Sequence, residues 1–212
     1  MDIGGTKVLG VVLDIDAPEG GPVAHARRPT PRGAGSLVAT IADVVHDVVD
    51  RAGGPEVVAI GVGLPGLIDR DGVLRMGPNL PGIVDLDVEE ALADVLGRPV
   101  VVDNDANCAA WAEHRLGASQ GHDHALLVTL GTGIGAGIIA DRRLLTGAHG
   151  MAAEPGHMIV DPAGPRCPCG QRGCWERYAS GSGLGFLARE AALAGRADAV
   201  VALAGGDPEA VR

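Results

Sequence analysis

The stretch from Glu154 to Glu176, EPGHMIVDPAGPRCPCGQRGCWE, constrains the fold of this chain more than any other. It crowds His157, Cys167, Cys169 and Cys174 into one segment, with Glu154 and Glu176 at its ends. Three thiols and one imidazole are the number and type of ligands that close a tetrahedral structural zinc site. Pro162, Gly164, Pro165, Pro168, Gly170 and Gly173 forbid a regular helix or strand there. Something other than a backbone ladder must therefore hold the loop in shape, and a bound metal would do that.

A chain of 212 residues can bury a real core, as one large domain or as two modest lobes. Its net charge of -10 argues against a nucleic-acid-binding surface, which needs a basic face. No apolar run reaches bilayer-spanning length and no charged-then-apolar leader opens the chain, so it reads as soluble, unexported and cytoplasmic, with no membrane partner. Cysteine usage fits a reducing compartment. Three clustered thiols cannot all pair with one another, and Cys108 lies far off in a helical stretch, where it reads as a small core residue. Arginine has displaced lysine almost everywhere; the only lysine is Lys7.

Lys7 ends the opening motif Asp2-Ile3-Gly4-Gly5-Thr6-Lys7, which feeds straight into the apolar run Val8 to Leu13. A Gly-Gly turn before β-rich sequence reads as a hairpin tip whose exposed N–H groups can hold phosphate oxygens. An ordinary glycine turn fits the same residues. A Walker A loop does not, because its spacing differs and a helix must follow it. Val23 to Pro29 reads as a third strand, and Gly35 to Ala52 carries the apolar stripe of an amphipathic helix. Val57 to Val62 is a buried strand running into Gly63-Leu64-Pro65-Gly66, followed by a loop with Pro78-Asn79-Leu80. Asp85 to Leu96 is a second helix and Pro99 to Val102 another strand. Three strands before the alternation begins suit a mixed sheet, antiparallel first and parallel later.

Beyond that last strand stands Asp103-Asn104-Asp105-Ala106-Asn107, then a helix to Gly117. Ligand chemistry in open α/β sheets gathers past the carboxyl ends of strands. Asn104 or Asp105 suits a helix cap, but a cap does not require the whole polar cluster. Asp105 is the candidate catalytic residue, its carboxylate favoured in the ionised form by the helix dipole. His124 to Leu130 is again a strand, leading into Gly131-Thr132-Gly133-Ile134-Gly135-Ala136-Gly137. The β-hairpin that follows, with Asp141-Arg142-Arg143 at its tip, excludes a dinucleotide fingerprint, which must open a helix. Gly5-Thr6 and Gly131-Thr132 thus form a weak internal repeat of two similar turns. A helix from about Leu184 to Ala194 and a short Ala- and Val-rich stretch follow the cysteine loop.

Asp2-x-Gly-Gly-Thr-Lys7, Asp103-Asn-Asp-Ala-Asn107, Leu130-Gly-Thr-Gly133 and Glu154-x-x-His157 with Cys167-x-Cys-Gly-x-x-Gly-Cys174-x-Glu176 together resemble the ROK family of bacterial sugar kinases and repressors, its glucokinases above all. The resemblance implies an α/β fold of the actin-like, hexokinase type (ribonuclease H-like), with two lobes at 1–117 and 118–212 and the second incomplete. It implies ATP-dependent phosphorylation of glucose at the 6-hydroxyl, in carbohydrate metabolism. By position, Gly4, Gly5, Thr6 and Lys7 are implied to hold ATP phosphates, with Asp2 near Mg2+. Gly131, Thr132 and Gly133 form the opposing phosphate turn. Asp105 is the implied general base, and Gly66, Asn79, Asn104, Glu154, His157 and Glu176 are the implied sugar contacts. His157 serves the structural Zn2+ as well, with Cys167, Cys169 and Cys174. The family is usually dimeric or tetrameric.

Members of this family carry apolar residues before the first Asp and continue past the equivalent of Arg212, so the resemblance also implies a chain truncated at both ends. An N-acetylmannosamine, N-acetylglucosamine or fructose kinase shares the same motifs. A sugar-responsive repressor, or an inactive fragment that keeps its sugar and zinc sites, are the remaining readings.

Overall fold

The computed structural model describes residues 1–207 and 210. These fall into two compact units: Met1–Leu126 with Gly137–Ala152, and Leu127–Ala136 with the described residues from Ala153 onward.

The first unit opens with β1 (Asp2–Ile3), β2 (Lys7–Val12) and β3 (Ala24–Pro29), a run of antiparallel neighbours. Helix α1 (Ala34–Arg51) follows, burying Leu37, Ile41, Val44, Val45 and Val48 along one face. These apolar residues recur at helical spacing, and each fully buried one contributes about 1.5–3 kcal/mol. A Cβ on Gly10 of β2 would lie 2.7 Å from Val44 Cγ1, so glycine there lets the helix settle onto the strand. Next come β4 (Ile60–Leu64), β5 (Leu67–Ile68), β6 (Val73–Met76), β7 (Val84–Asp87), α2 (Val88–Leu96), β8 (Val100–Asn104) and α3 (Asp105–Leu116). The main sheet has the order β3-β2-β1-β4-β8, and β1, β4 and β8 are parallel. This is the mixed sheet expected from the sequence. Ile3, Val8, Val62 and Val102 of the sheet share one hydrophobic core with α1 and with Val88 and Leu92 of α2.

Several boundaries differ from the expected ones. The strand expected at Val57–Val62 starts at Ile60, whose N–H donates to the Pro99 carbonyl at 3.0 Å. Pro99 has no N–H to return, so the ladder begins there. The helix expected from Asp85 starts at Val88. Asp87 is its cap, accepting from the Glu90 N–H at 2.9 Å, while Asp85 stays in β7. The loop expected around Pro78-Asn79-Leu80 is the β6–β7 connection of a small sheet of order β5-β6-β7. Cys108 is exposed rather than in the core, because α3 buries Ala106, Asn107, Ala110 and His114 instead.

Chain order continues with β9 (Ala125–Leu130), β10 (Ile134–Ala140) and β11 (Arg143–Leu144), a sheet of order β11-β10-β9. The hairpin expected after the second glycine turn is thus present. Gly137 marks the place where α3 crosses β10: a Cβ there would collide with Ala110 Cβ. The later part of the second unit carries α4 (Glu176–Ala179), α5 (Gly181–Leu193) and α6 (Asp198–Leu203). Its buried apolar residues are few, Ile134, Ala136, Cys167, Cys174 and Ala192 among the described residues. So small a core needs an additional staple. No helix among the described residues is long and apolar enough to cross a membrane.

Candidate functional site

The first unit gathers its candidate residues at the carboxyl ends of β1, β4 and β8. Gly4-Gly5-Thr6 joins β1 to β2, and the Gly4 N–H closes the tip on the Lys7 carbonyl at 2.8 Å. Thr30, just past β3, donates its hydroxyl to the Gly4 carbonyl at 2.5 Å. Its N–H reaches the Thr6 carbonyl at 3.2 Å. The N–H groups of Gly5 and Thr6 donate to no acceptor among the described residues. Two free, neighbouring N–H donors at a glycine turn form an anion-accepting concavity. Gly5 also lies against the Asn79 loop: a Cβ on it would be 3.1 Å from the Asn79 carbonyl oxygen. Lys7 is exposed and lines a cation-rich hollow of about 360 Å³ with His25, Arg27 and Arg51.

Asp2, Gly63 and Asp103 are register partners across the three parallel strands. A Cβ on Gly63 would lie 3.4 Å from Asp105 Cα and 3.5 Å from Cys108 Sγ, so the first turn of α3 rests on bare backbone. Cys108, exposed as a residue, keeps its sulfur in that shelter, and burial pushes the thiol up to about 11. It is not a reactive thiolate.

Asn104 caps α3, its Oδ1 accepting from the N–H groups of Ala106 at 2.9 Å and Asn107 at 3.2 Å. Its Nδ2 donates to the Gly66 carbonyl at 3.0 Å. The acceptor of this amide is thus engaged twice within the protein, and one N–H remains to offer a ligand. Gly66 has φ +129°, and a Cβ there would strike the Met76 carbonyl, so no other residue fits. Asp103 Oδ1 accepts from the Asn104 N–H at 2.7 Å and from Asn107 Nδ2 at 2.9 Å, tying strand end to helix.

Asp105 opens α3 with its own Oδ1 on the Ala106 N–H at 2.9 Å. Asp105 is exposed as a residue, yet partial burial of its carboxyl group raises its pKa, and the negative charge of Asp2 adds to the rise. The Ala106 N–H opposes it. Burial and charge thus outweigh the helix terminus, the reverse of the balance expected from the sequence. A carboxylate raised toward the working pH is a better general base.

In the second unit, the ligand atoms of His157, Cys167, Cys169 and Cys174 all lie within 4.8 Å of one another. Cys169 Sγ is 3.6 Å from Cys174 Sγ, and Cys167 Sγ is 3.7 Å from His157 Nδ1. Ligands about 2.0–2.3 Å from a tetrahedral zinc stand roughly 3.5–3.8 Å from one another, so the four residues fit that ion. The sulfurs are too far apart for a disulfide. Burial pushes the Cys167 thiol up to about 12, so a thiolate there needs a cation. The loop is shaped by glycines: Gly173 has φ +65° and a Cβ on it would overlap the Asp161 carbonyl.

Glu176, the first residue of α4, joins this cluster to the second glycine turn. Its Oε1 lies 3.9 Å from His157 Nδ1 and its Oε2 accepts from the Ile134 N–H at 3.3 Å. Glu154 is exposed, just before a tight turn at Pro155–His157. In Gly131-Thr132-Gly133 the N–H groups of Thr132 and Gly133 donate to nothing among the described residues. The turn's carbonyls are occupied from α5: the Gly181 N–H reaches Gly131 O at 2.8 Å, and Ser182 Oγ reaches Thr132 O at 2.7 Å.

Residues 1–212 match the model of the ROK family throughout. The chain belongs to the ROK family. A ROK glucokinase from Streptomyces griseus, solved in complex with glucose and AMPPNP, matches with a TM-score of 0.83 and 39% identity over 100% of this chain and 66% of that one. The fold is therefore the mixed α/β, actin-like ROK fold. A glucokinase of Streptomyces coelicolor is 39% identical over 100% of this chain and 65% of its own length. A xylose repressor of Bacillus subtilis is 34% identical over 87% of this chain and 48% of its own length. The chain thus spans about 65% of the length of the glucokinase it matches. The cysteine cluster fits the zinc motif of ROK proteins. Thr30, Ser182 and the Asp103–Asn107 bond were not singled out from the sequence.

Proposed function

We propose that this chain carries the chemistry of an ATP-dependent hexose kinase that phosphorylates glucose at its 6-hydroxyl, with Asp105 as general base. The observation that carries the proposal is Asp105 itself. It stands at a helix start beyond a parallel strand end, with its pKa raised by burial and by Asp2. The Streptomyces griseus relative, bound to glucose and AMPPNP, supports the choice of substrates.

Phosphoryl transfer leaves the protein mostly positioning and charge stabilisation to do. The free N–H groups of Gly5 and Thr6, and of Thr132 and Gly133, hold phosphate oxygens. Mg2+ is held by one or two carboxylates together with phosphates, and exposed Asp2 beside the first turn fits that role. Asp105 accepts the proton of the sugar 6-hydroxyl as that oxygen bonds to the γ-phosphorus and the bond to ADP breaks. Asn79, the remaining N–H of Asn104, the Gly66 backbone, Glu154, His157 and Glu176 orient the sugar hydroxyls, which require donors and acceptors in fixed directions. Zn2+ on His157, Cys167, Cys169 and Cys174 supplies structural bracing and leaves the second nitrogen of His157 for a hydroxyl.

The test is ATP-dependent phosphorylation by the purified chain across glucose, N-acetylmannosamine, N-acetylglucosamine and fructose. Glucose 6-phosphate and ADP in equal amounts are expected, with Asp105→Asn inactive. Turnover of an N-acetyl sugar but not of glucose overturns the substrate. Sugar binding without any transfer favours a sugar-sensing relative, of which the Bacillus subtilis repressor is the model.

A further inference from the structure

Gly4-Gly5-Thr6 and Gly131-Thr132-Gly133 belong to different units and are held by different segments, yet the same device secures both. An anion-binding turn has two requirements: its N–H groups must be free, and its carbonyl oxygens must be kept away from the anion they would repel. In the first turn, Thr30 takes two of the three carbonyls, its hydroxyl on Gly4 O at 2.5 Å and its N–H on Thr6 O at 3.2 Å. In the second, Ser182 takes Thr132 O through its hydroxyl at 2.7 Å and its N–H at 3.2 Å, and Gly181 N–H takes Gly131 O at 2.8 Å. Each clamp pairs a hydroxyl and an N–H of one residue, 26 residues from the carbonyl in the first case and 50 in the second.

We propose that Thr30 and Ser182 are positioning residues that set the two turns for phosphate, neither touching the nucleotide. The inference rests on reading both turns as phosphate holders. With Gly4 O, Gly131 O and Thr132 O clamped, the peptide planes that carry the Gly5, Thr132 and Gly133 N–H groups cannot rotate to present oxygen instead of N–H. Loss of the Thr30 hydroxyl frees the Gly4 carbonyl, which then competes for the face the phosphate needs; loss of the Ser182 hydroxyl leaves the Thr132 carbonyl on the longer N–H bond alone and loosens its peptide plane. The residue's own N–H bond remains, so the fold survives while the turn loosens.

The test uses the full chain and calorimetric titration with Mg2+ and AMPPNP. Thr30→Val keeps the shape and the N–H bond but lacks the hydroxyl, and Ser182→Ala does the same in the second turn. Each is expected to weaken AMPPNP binding about tenfold, the effect of one lost hydrogen bond, while Thr30→Ser stays within about twofold of wild type. The melting temperature of the unliganded variants should move by no more than a few degrees. Wild-type affinity in both folded variants, or a Thr30→Ser variant as weak as Thr30→Val, overturns the inference and leaves the phosphate reading standing. A wild-type chain that binds no AMPPNP overturns the phosphate reading, and the inference with it. Should Thr30→Val not fold, Ser182→Ala decides the matter in the second unit.

Discussion

The negative charge of Asp2 adds to the rise that burial gives the Asp105 pKa, against the opposing Ala106 N–H. The two carboxylates belong to different elements: Asp2 is the register partner of Gly63 on β4, and Gly63 lies beneath the backbone of Asp105. Bare backbone at Gly63 therefore brings a strand carboxylate and a helix carboxylate into electrostatic reach. Removing the Asp2 charge should lower the Asp105 pKa. In Asp2→Asn, carbon-detected titration of the Asp105 carboxyl should move to lower pH, as should the acid limb of kcat/KM. An unchanged or raised Asp105 titration would remove Asp2 as a cause.

The same shift fixes the pH dependence of stability. Asp105 is raised in the folded state, so the fold binds its proton more tightly than the unfolded chain does. Its contribution is fully present below the unfolded pKa of about 3.9 and is lost as pH rises through the folded value. Asp105→Asn cannot ionise and escapes that loss. Thermal melts should show the variant gaining on wild type as pH rises from about 4 through the folded pKa and holding the gain above it. A gain that shrinks with rising pH contradicts the raised pKa.

The mixed character of the sheet followed from the sequence because three strands precede the first helix and later strands alternate with helices, while the strand order did not. The small sheet was not visible, since Leu67–Ile68 and Val73–Met76 are too short for a period to show. The helix expected from Asp85 starts three residues later, because the bond from the Glu90 N–H makes Asp87 the cap. The cysteine cluster was plain because its ligands are close in sequence. Contacts made over long separations, such as Thr30 with Gly4 or Glu176 with Ile134, leave no local pattern.

Asn104 combines two jobs that substitution can separate. Asn104→Asp retains an acceptor for the Ala106 and Asn107 N–H groups but turns an oxygen toward the Gly66 carbonyl in place of the present donor. Asn104→Ala loses cap and Gly66 bond together, at a cost of roughly 2 kcal/mol, or about 4–8 °C in a chain of this size. Calorimetric melts should rank wild type above Asp, and Asp above Ala. Both variants should bind glucose more weakly. Equal melting of all three would show that the cap is not holding α3.

Gly5→Ala probes the join between the Gly4-Gly5-Thr6 turn and the Asn79 loop. The added methyl would sit 3.1 Å from the Asn79 carbonyl oxygen and 3.2 Å from Asn79 Cβ, so the loop must give by a few tenths of an ångström. Glucose affinity should fall several-fold along with nucleotide affinity, although residue 5 is assigned only to phosphate. A variant that loses AMPPNP binding while holding glucose at wild-type strength would show that the Asn79 loop absorbs the methyl without moving.

The metal prediction follows from how little else holds the second unit together. Cys174 is completely buried and Cys167 nearly so, yet Ile134 is the one large aliphatic side chain buried in that unit among the described residues. Removing the ion leaves Cys167 and Cys174, whose protonation burial favours, and a loop whose glycines prefer no regular structure. Elemental analysis should find about one zinc per chain, lost in Cys167→Ser and Cys174→Ser and kept in Cys108→Ser, whose sulfur lies over Gly63 in the first unit. Incubation with a strong chelator should lower the melting temperature of wild type and expose the second unit to limited proteolysis around residues 158–172, while the first unit resists. Full zinc content in Cys174→Ser, or a chelated chain that melts and cleaves like the untreated one, would show that the four ligands are not a structural metal site.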